Sequence, residues 1–147
     1  MIVTQEIAKS DCKMTDLWET PDYIFNPLNE KYHFTLDPCC TEESKKCIFY
    51  YTPETNGLLK SWAGQTVFMN PPYSRGNIDK WVEKAYLEAR DYDTFIVALL
   101  PVYTSSKWFH KYVWNKCRIE FLDKRVKFKG AKHPAPFSSM LCYYGKY

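Results

Sequence analysis

The apolar positions of the chain fall into short runs that alternate with stretches of helical period. Strands are expected at residues 33–37, 47–51, 66–70, 94–100, 118–122 and 139–144. Several are apolar on both faces, most clearly Phe95-Ile96-Val97-Ala98-Leu99-Leu100, as in central strands of a sheet covered on both sides. Over 78–90, Ile78, Trp81, Val82, Ala85, Tyr86 and Ala89 keep to one helical face. Asp79, Lys80, Glu83, Lys84 and Glu88 take the other, and Asn77 stands as N-cap. A second helix is expected over 105–113, capped by Ser105. Thr20-Pro21 reads as N-cap and first residue of an earlier helix, which Pro27 should break after two turns, with Asn26 capping a restart. Strands alternating with helices predict an α/β fold with a central, mostly parallel sheet, as one domain over 1–147.

Composition narrows the class. Nine Phe, five Trp and twelve Tyr against five Gly exclude a disordered tail, and 147 residues can bury one real core but not two. A net charge of +3 permits an anionic partner without demanding one. The longest apolar run, 95–102, is far short of the ~20 residues that span a bilayer, and residues 1–14 carry no apolar signal core, so a soluble cytoplasmic protein with no membrane association is expected. Cys12, Cys39, Cys40, Cys47, Cys117 and Cys142 contain no C-x-x-C and read as reduced thiols. With His33, His110 and His133 scattered, they fit tetrahedral ligand spacing badly, and no metal is expected.

The chemistry is sparse until residue 70. Gly57, Gly64, Gly76, Gly130 and Gly145 lie too far apart for a dinucleotide-binding fingerprint or a P-loop, and no G-x-S-x-G occurs. Asn70-Pro71-Pro72-Tyr73, however, follows the apolar strand Thr66-Val67-Phe68-Met69 directly, at the carboxyl edge where open α/β sheets bind ligands. Phe34-Thr35-Leu36-Asp37-Pro38 likewise ends a strand in an acid and a proline. Taken alone, each string is equally a proline turn. Two on one sheet edge favour a site.

Asn70-Pro71-Pro72-Tyr73 resembles the (D/N/S)-P-P-(Y/F/W) motif of amino-group methyltransferases. The wider pattern is similar to the phage-type DNA N6-adenine methyltransferase (Dam) family. The matching pieces run through most of the chain: Leu17-Trp18-Glu19-Thr20-Pro21, Phe34 to Cys40, Asn56-Gly57-Leu58 with Trp62, Asn70 to Ser74, and Ile78 to Ala85. They continue with Leu99-Leu100-Pro101, Trp108-Phe109-His110, Arg125-Val126-Lys127-Phe128 and Ala135-Pro136-Phe137. The resemblance implies a phage or prophage enzyme of the bacterial host's cytoplasm, on a Rossmann-like fold, that carries a methyl group from S-adenosylmethionine to adenine N6 in DNA. Asp37, Pro38 and Cys39 would then meet the cofactor, and Trp18, Thr20 and Pro21 would close over it. The usual glycine-rich F-x-G-x-G is missing after Asp37, and Asn56 stands where an Asp is common.

In that reaction the adenine amine is a poor nucleophile, because its lone pair is delocalised into the ring. Two acceptors on its hydrogens, the Asn70 side-chain oxygen and the Pro71 carbonyl, would localise it. Pro71 and Pro72 stiffen the turn, and the Tyr73 ring would stack on a flipped adenine. Ser74, Arg75, Arg125 and Lys127 are candidates for DNA contact, or else belong to a solvated basic surface. Rival readings are methylation of another amino group, in RNA adenine, cytosine N4 or protein glutamine, and a nucleic-acid-binding module without catalysis.

Overall fold

The computed structural model describes residue 16 and residues 18–147. Cys12, Leu17 and the stretch 1–14 read for a signal core lie outside the described residues. Six strands form one sheet: β1 (Leu36–Asp37), β2 (Phe49–Tyr50), β3 (Thr66–Met69), β4 (Phe95–Pro101), β5 (Arg118–Phe121) and β6 (Ser139–Tyr144). Their spatial order is β2-β1-β3-β4-β6-β5. β1 pairs in parallel with β2 and β3, and β3 with β4. β6 runs antiparallel to both β4 and β5. The expected α/β class and mostly parallel sheet hold, with β6 as the reversed strand.

The double-sided apolar runs have their cause in helices on both faces. Side chains alternate across a strand. Val67, Met69, Ile96, Ala98, Leu100, Met140, Cys142 and Tyr144 therefore join one buried cluster, with α2 (Ile78–Tyr92) and α3 (Lys107–Tyr112). Phe68, Phe95, Val97, Leu99, Leu141 and Tyr143 join a second, with Ile24, Phe25 and Tyr32 of α1 (Asp22–Tyr32) and with Val126 and Phe128 from the β5–β6 connection. Each fully buried side chain of this size contributes roughly 1.5–3 kcal/mol.

Several boundaries differ from expectation for local reasons. The first strand begins at Leu36, not His33, because His33 is the left-handed C-cap of α1 (φ 53°), its N–H bonded to the Asn29 carbonyl. Pro27 lies inside α1 without breaking it, and Asn26 caps nothing. The missing N–H leaves the Tyr23 carbonyl unpaired, and Tyr23 is on the exposed side, while Ile24 and Phe25 anchor the helix from below. Pro21, not Thr20, is the N-cap of α1. α3 is capped by Ser106 in place of Ser105, its hydroxyl accepting from the Phe109 N–H. Asn77 does hold the N-cap position of α2, but its amide donates to the Ser74 hydroxyl and caps no backbone N–H.

A short 3-10 turn, Gly57–Leu59, fixes the end of β1. A Cβ on Gly57 would lie 2.1 Å from the Pro38 carbonyl oxygen, so only glycine permits this approach. Trp62, fully buried, ties the turn to the core. Its indole N–H donates to the Gly57 carbonyl (3.0 Å) and its backbone N–H to the Glu88 carboxylate (3.1 Å). Glu88 is buried yet paired with Lys84 (2.6 Å), which satisfies its charge.

Candidate active site

The chain leaves β1 toward β2 on one side and leaves β3 toward β4 on the other. Divergent connections leave a crevice between the carboxyl ends of the two strands. A cavity of about 330 Å³ lies there. Asp37, Pro38 and Cys39 line it from β1, Asn70 and Pro72 from the segment after β3. Trp18, Glu19 and Thr20 line it from the segment before α1, and Asn56 and Leu58 from the 3-10 turn. Phe68 and Trp81 add apolar surface. Its described lining residues carry three carboxylates, Asp16, Glu19 and Asp37, against one cation, Lys46. Aromatic surface with a net negative charge suits a ligand that is part planar ring and part cation.

Asp37 is 4% exposed at the tip of β1. Its carboxylate accepts from the backbone N–H groups of Lys46 (3.1 Å) and Cys39 (3.5 Å). Burial outweighs these bonds and pushes its pKa from 3.8 up to about 6. Burial also holds the Cys39 and Cys40 thiols well above their ordinary range and pushes Cys47 up to about 12, so these sulfurs stay protonated and are poor nucleophiles. Among the described residues no three His, Cys, Asp or Glu side chains gather as a metal site.

The segment before α1 is clasped across the cavity. The Trp18 ring stacks on Phe128 (centroids 5.3 Å apart, 20° between planes), and Glu19 pairs backbone to backbone with Lys129. The Glu19 carboxylate accepts from the Lys46 ammonium at 2.7 Å, which joins this segment to the loop after β1. The Asn70 amide nitrogen donates to the Trp18 carbonyl (3.0 Å). With its NH₂ so engaged, the amide keeps its oxygen as a free acceptor.

The residues expected to act together are only partly together. Trp18, Thr20, Asp37, Pro38, Cys39, Asn70 and Pro72 line the cavity; Pro21, Pro71 and Tyr73 do not. Pro71 is buried beneath the loop. The Tyr73 hydroxyl donates to the Leu99 carbonyl (2.6 Å), and its ring meets Phe128 and Phe137 edge to face. Ser74 is buried, its N–H and hydroxyl both donating to the Asp16 carboxylate at 3.0 and 2.7 Å. Arg75, Arg125 and Lys127 are exposed. Sequence reasoning missed Asp16, Glu19 and Lys46 as site residues; no local pattern marks them, because only tertiary contacts bring them to the crevice.

The sheet topology and the strand-end site define a methyltransferase-type α/β fold. A crystal structure of a candidate RNA methyltransferase from Pyrococcus horikoshii superposes with a TM-score of 0.54 over 99% of both chains, at 12% identity, a likeness of fold. In sequence, the chain is 34% identical over 131 residues to the DNA N-6-adenine-methyltransferase of Haemophilus phage HP1 (strain HP1c1), covering 87% of this chain and 73% of that one. It is 38% identical over 111 residues to the protein of the same description from Escherichia phage T1, covering 74% of this chain and 45% of that one. Residues 8–139 match the family described as DNA N-6-adenine-methyltransferase (Dam). The chain belongs to this family and is by that membership an adenine-specific DNA methyltransferase. Family and fold together imply a methyl donor of the S-adenosylmethionine type.

Proposed function

We propose that the cavity between the ends of β1 and β3 holds S-adenosylmethionine, and that the loop Asn70-Pro71-Pro72-Tyr73 presents the N6 amine of an extruded adenine of DNA to it. The observation that carries this reading is the Asn70 side chain: it lines the cavity, and its amide nitrogen is held by Trp18 so that its oxygen is the free acceptor. The donor set fits the cofactor. Asp16, Glu19 and Asp37 oppose its cationic charge, Trp18, Phe68 and Trp81 give surface for a nucleoside ring, and Lys46 can meet a carboxylate. Bound there, S-adenosylmethionine supplies an electrophilic methyl group on a positively charged sulfur.

The chain's own residues do the rest. An amide oxygen at Asn70 accepts one N6 hydrogen, localises the nitrogen lone pair and stabilises the positive charge that grows on it. Fixed φ at Pro71 and Pro72 keeps the loop in that geometry at small entropic cost. The proton leaves the alkylated nitrogen to solvent, so no dedicated base is required. Exposed Arg75, Arg125 and Lys127 would contact phosphates.

Incubating the protein with methyl-labelled S-adenosylmethionine and DNA, digesting to nucleosides and resolving them by mass spectrometry tests the reading. Label in N6-methyldeoxyadenosine is the expected result. Label in N4-methyldeoxycytidine alone, or only with RNA or protein acceptors, would overturn it.

A further inference from the structure

Five aromatic rings form a continuous row along the carboxyl edge of the sheet. Trp18 at the cavity stacks on Phe128, Phe128 meets Tyr73, Tyr73 meets Phe137 (5.7 Å), and Phe137 meets Tyr103 (5.7 Å, 68° between planes). Tyr73, within the row, is flanked by rings on both sides and anchored by its hydroxyl. Tyr103, at the far end, is 44% exposed, and its hydroxyl makes no hydrogen bond among the described residues. Its backbone is nonetheless fixed: its N–H donates to the Pro101 carbonyl (3.1 Å), and its own carbonyl accepts from the N–H and hydroxyl of Ser106 (3.1 and 2.6 Å).

We propose, building on the reading of the site given above, that Tyr103 is a stacking platform for a nucleobase of the DNA strand beside the target adenine. An exposed aromatic ring on a rigid turn loses little entropy on binding, and every base offers a π-face to it. The ring stands two ring contacts from Tyr73 along the row, too far to share one base with the Asn70 loop and suited to its neighbour. Exposed Lys107, four residues on, and Arg75, two after Tyr73, can meet the strand's phosphates.

The test is equilibrium binding of the whole protein to a fluorescently labelled, adenine-containing single-stranded oligonucleotide, for the parent, Tyr103→Ala and Tyr103→Phe. Calorimetric affinity for S-adenosylmethionine and the melting temperature are measured alongside. The Ala variant should bind the oligonucleotide about 5- to 150-fold more weakly, the effect of one lost base stack, and the Phe variant within about twofold of the parent. Affinity for S-adenosylmethionine and melting temperature should match the parent in both. Parent-like DNA affinity in the Ala variant would overturn the proposal, as would an equal loss in the Phe variant or a parallel loss of cofactor affinity. A parent that binds DNA through Tyr103 but forms no N6-methyladenine would refute the proposed reaction and leave the stacking contact standing. A methylating parent indifferent to Tyr103 would do the reverse.

Discussion

The Asn70 amide nitrogen donates to the Trp18 carbonyl at 3.0 Å, joining residues 52 positions apart across the mouth of the cavity. The bond decides which end of the amide faces the substrate, since only nitrogen can donate to a carbonyl. Asn70→Asp keeps the shape but sets a carboxylate against the Trp18 oxygen. We expect its kcat to fall at neutral pH and to recover in part as the pH is lowered, when the protonated carboxyl can donate in turn. A pH–rate profile parallel to the parent's would show that this bond has no part in orienting the loop.

Asp37 makes the site pH-sensitive. Its folded pKa, about 6, lies above the ordinary 3.8, so its contribution to stability is fully present below about pH 3.8 and is lost as the pH rises through about 6. A rise of this size corresponds to roughly 3 kcal/mol. Relative to Asp37→Asn, the free parent should lose melting temperature between about pH 4 and pH 6. Cofactor affinity should run the other way and fall below about pH 6, where the cavity loses a negative charge facing a cation. Affinity flat from pH 5 to pH 8 would remove Asp37 from cofactor binding.

The Tyr73 hydroxyl, to which the sequence reading gave no role, holds the loop to β4 through the Leu99 carbonyl. Tyr73→Phe should lower unfolding free energy by about 1–2 kcal/mol, the cost of leaving a carbonyl unpaired. Tyr73→Ala, which also removes ring contacts to Phe128 and Phe137, should cost about 3–5 kcal/mol. Denaturant titrations distinguish the two steps. A Phe variant as stable as the parent would show the bond to be negligible.

Gly57→Ala should displace the wall of the cavity, since the new methyl would meet the Pro38 carbonyl at 2.1 Å and both partners are backbone. We expect a loss of a few kcal/mol in stability together with weakened binding of S-adenosylmethionine, read in one calorimetric series. Unchanged cofactor affinity would separate the 3-10 turn from the site.

The parts of the fold legible in the sequence are those whose signal is local. The run 95–100 and the segment Ser139–Tyr144 are apolar on both faces because helices cover both, and the period over 78–90 marks α2 directly. The two edge strands were drawn too long, because β1 and β2 are two-residue elements whose ends are set by a left-handed C-cap at His33 and by pairing on a single side. Of the site, Asp37 and Asn70 were legible from their place at strand ends. Asp16, Glu19 and Lys46 reach the cavity through contacts distant in sequence, such as the Lys46–Glu19 pair, and no pattern of neighbouring letters encodes that.

The central claim is that Asn70 acts on the amine and not on the cofactor. Its most direct test is Asn70→Ala, with single-turnover methylation of DNA and calorimetric binding of S-adenosylmethionine measured on the same preparation. The account expects the methylation rate to fall by about two to three orders of magnitude, as for the loss of one preorganised transition-state contact, while cofactor affinity stays at the parent's value. A variant that methylates at the parent's rate, or one whose lost activity is matched by lost cofactor affinity, would contradict it.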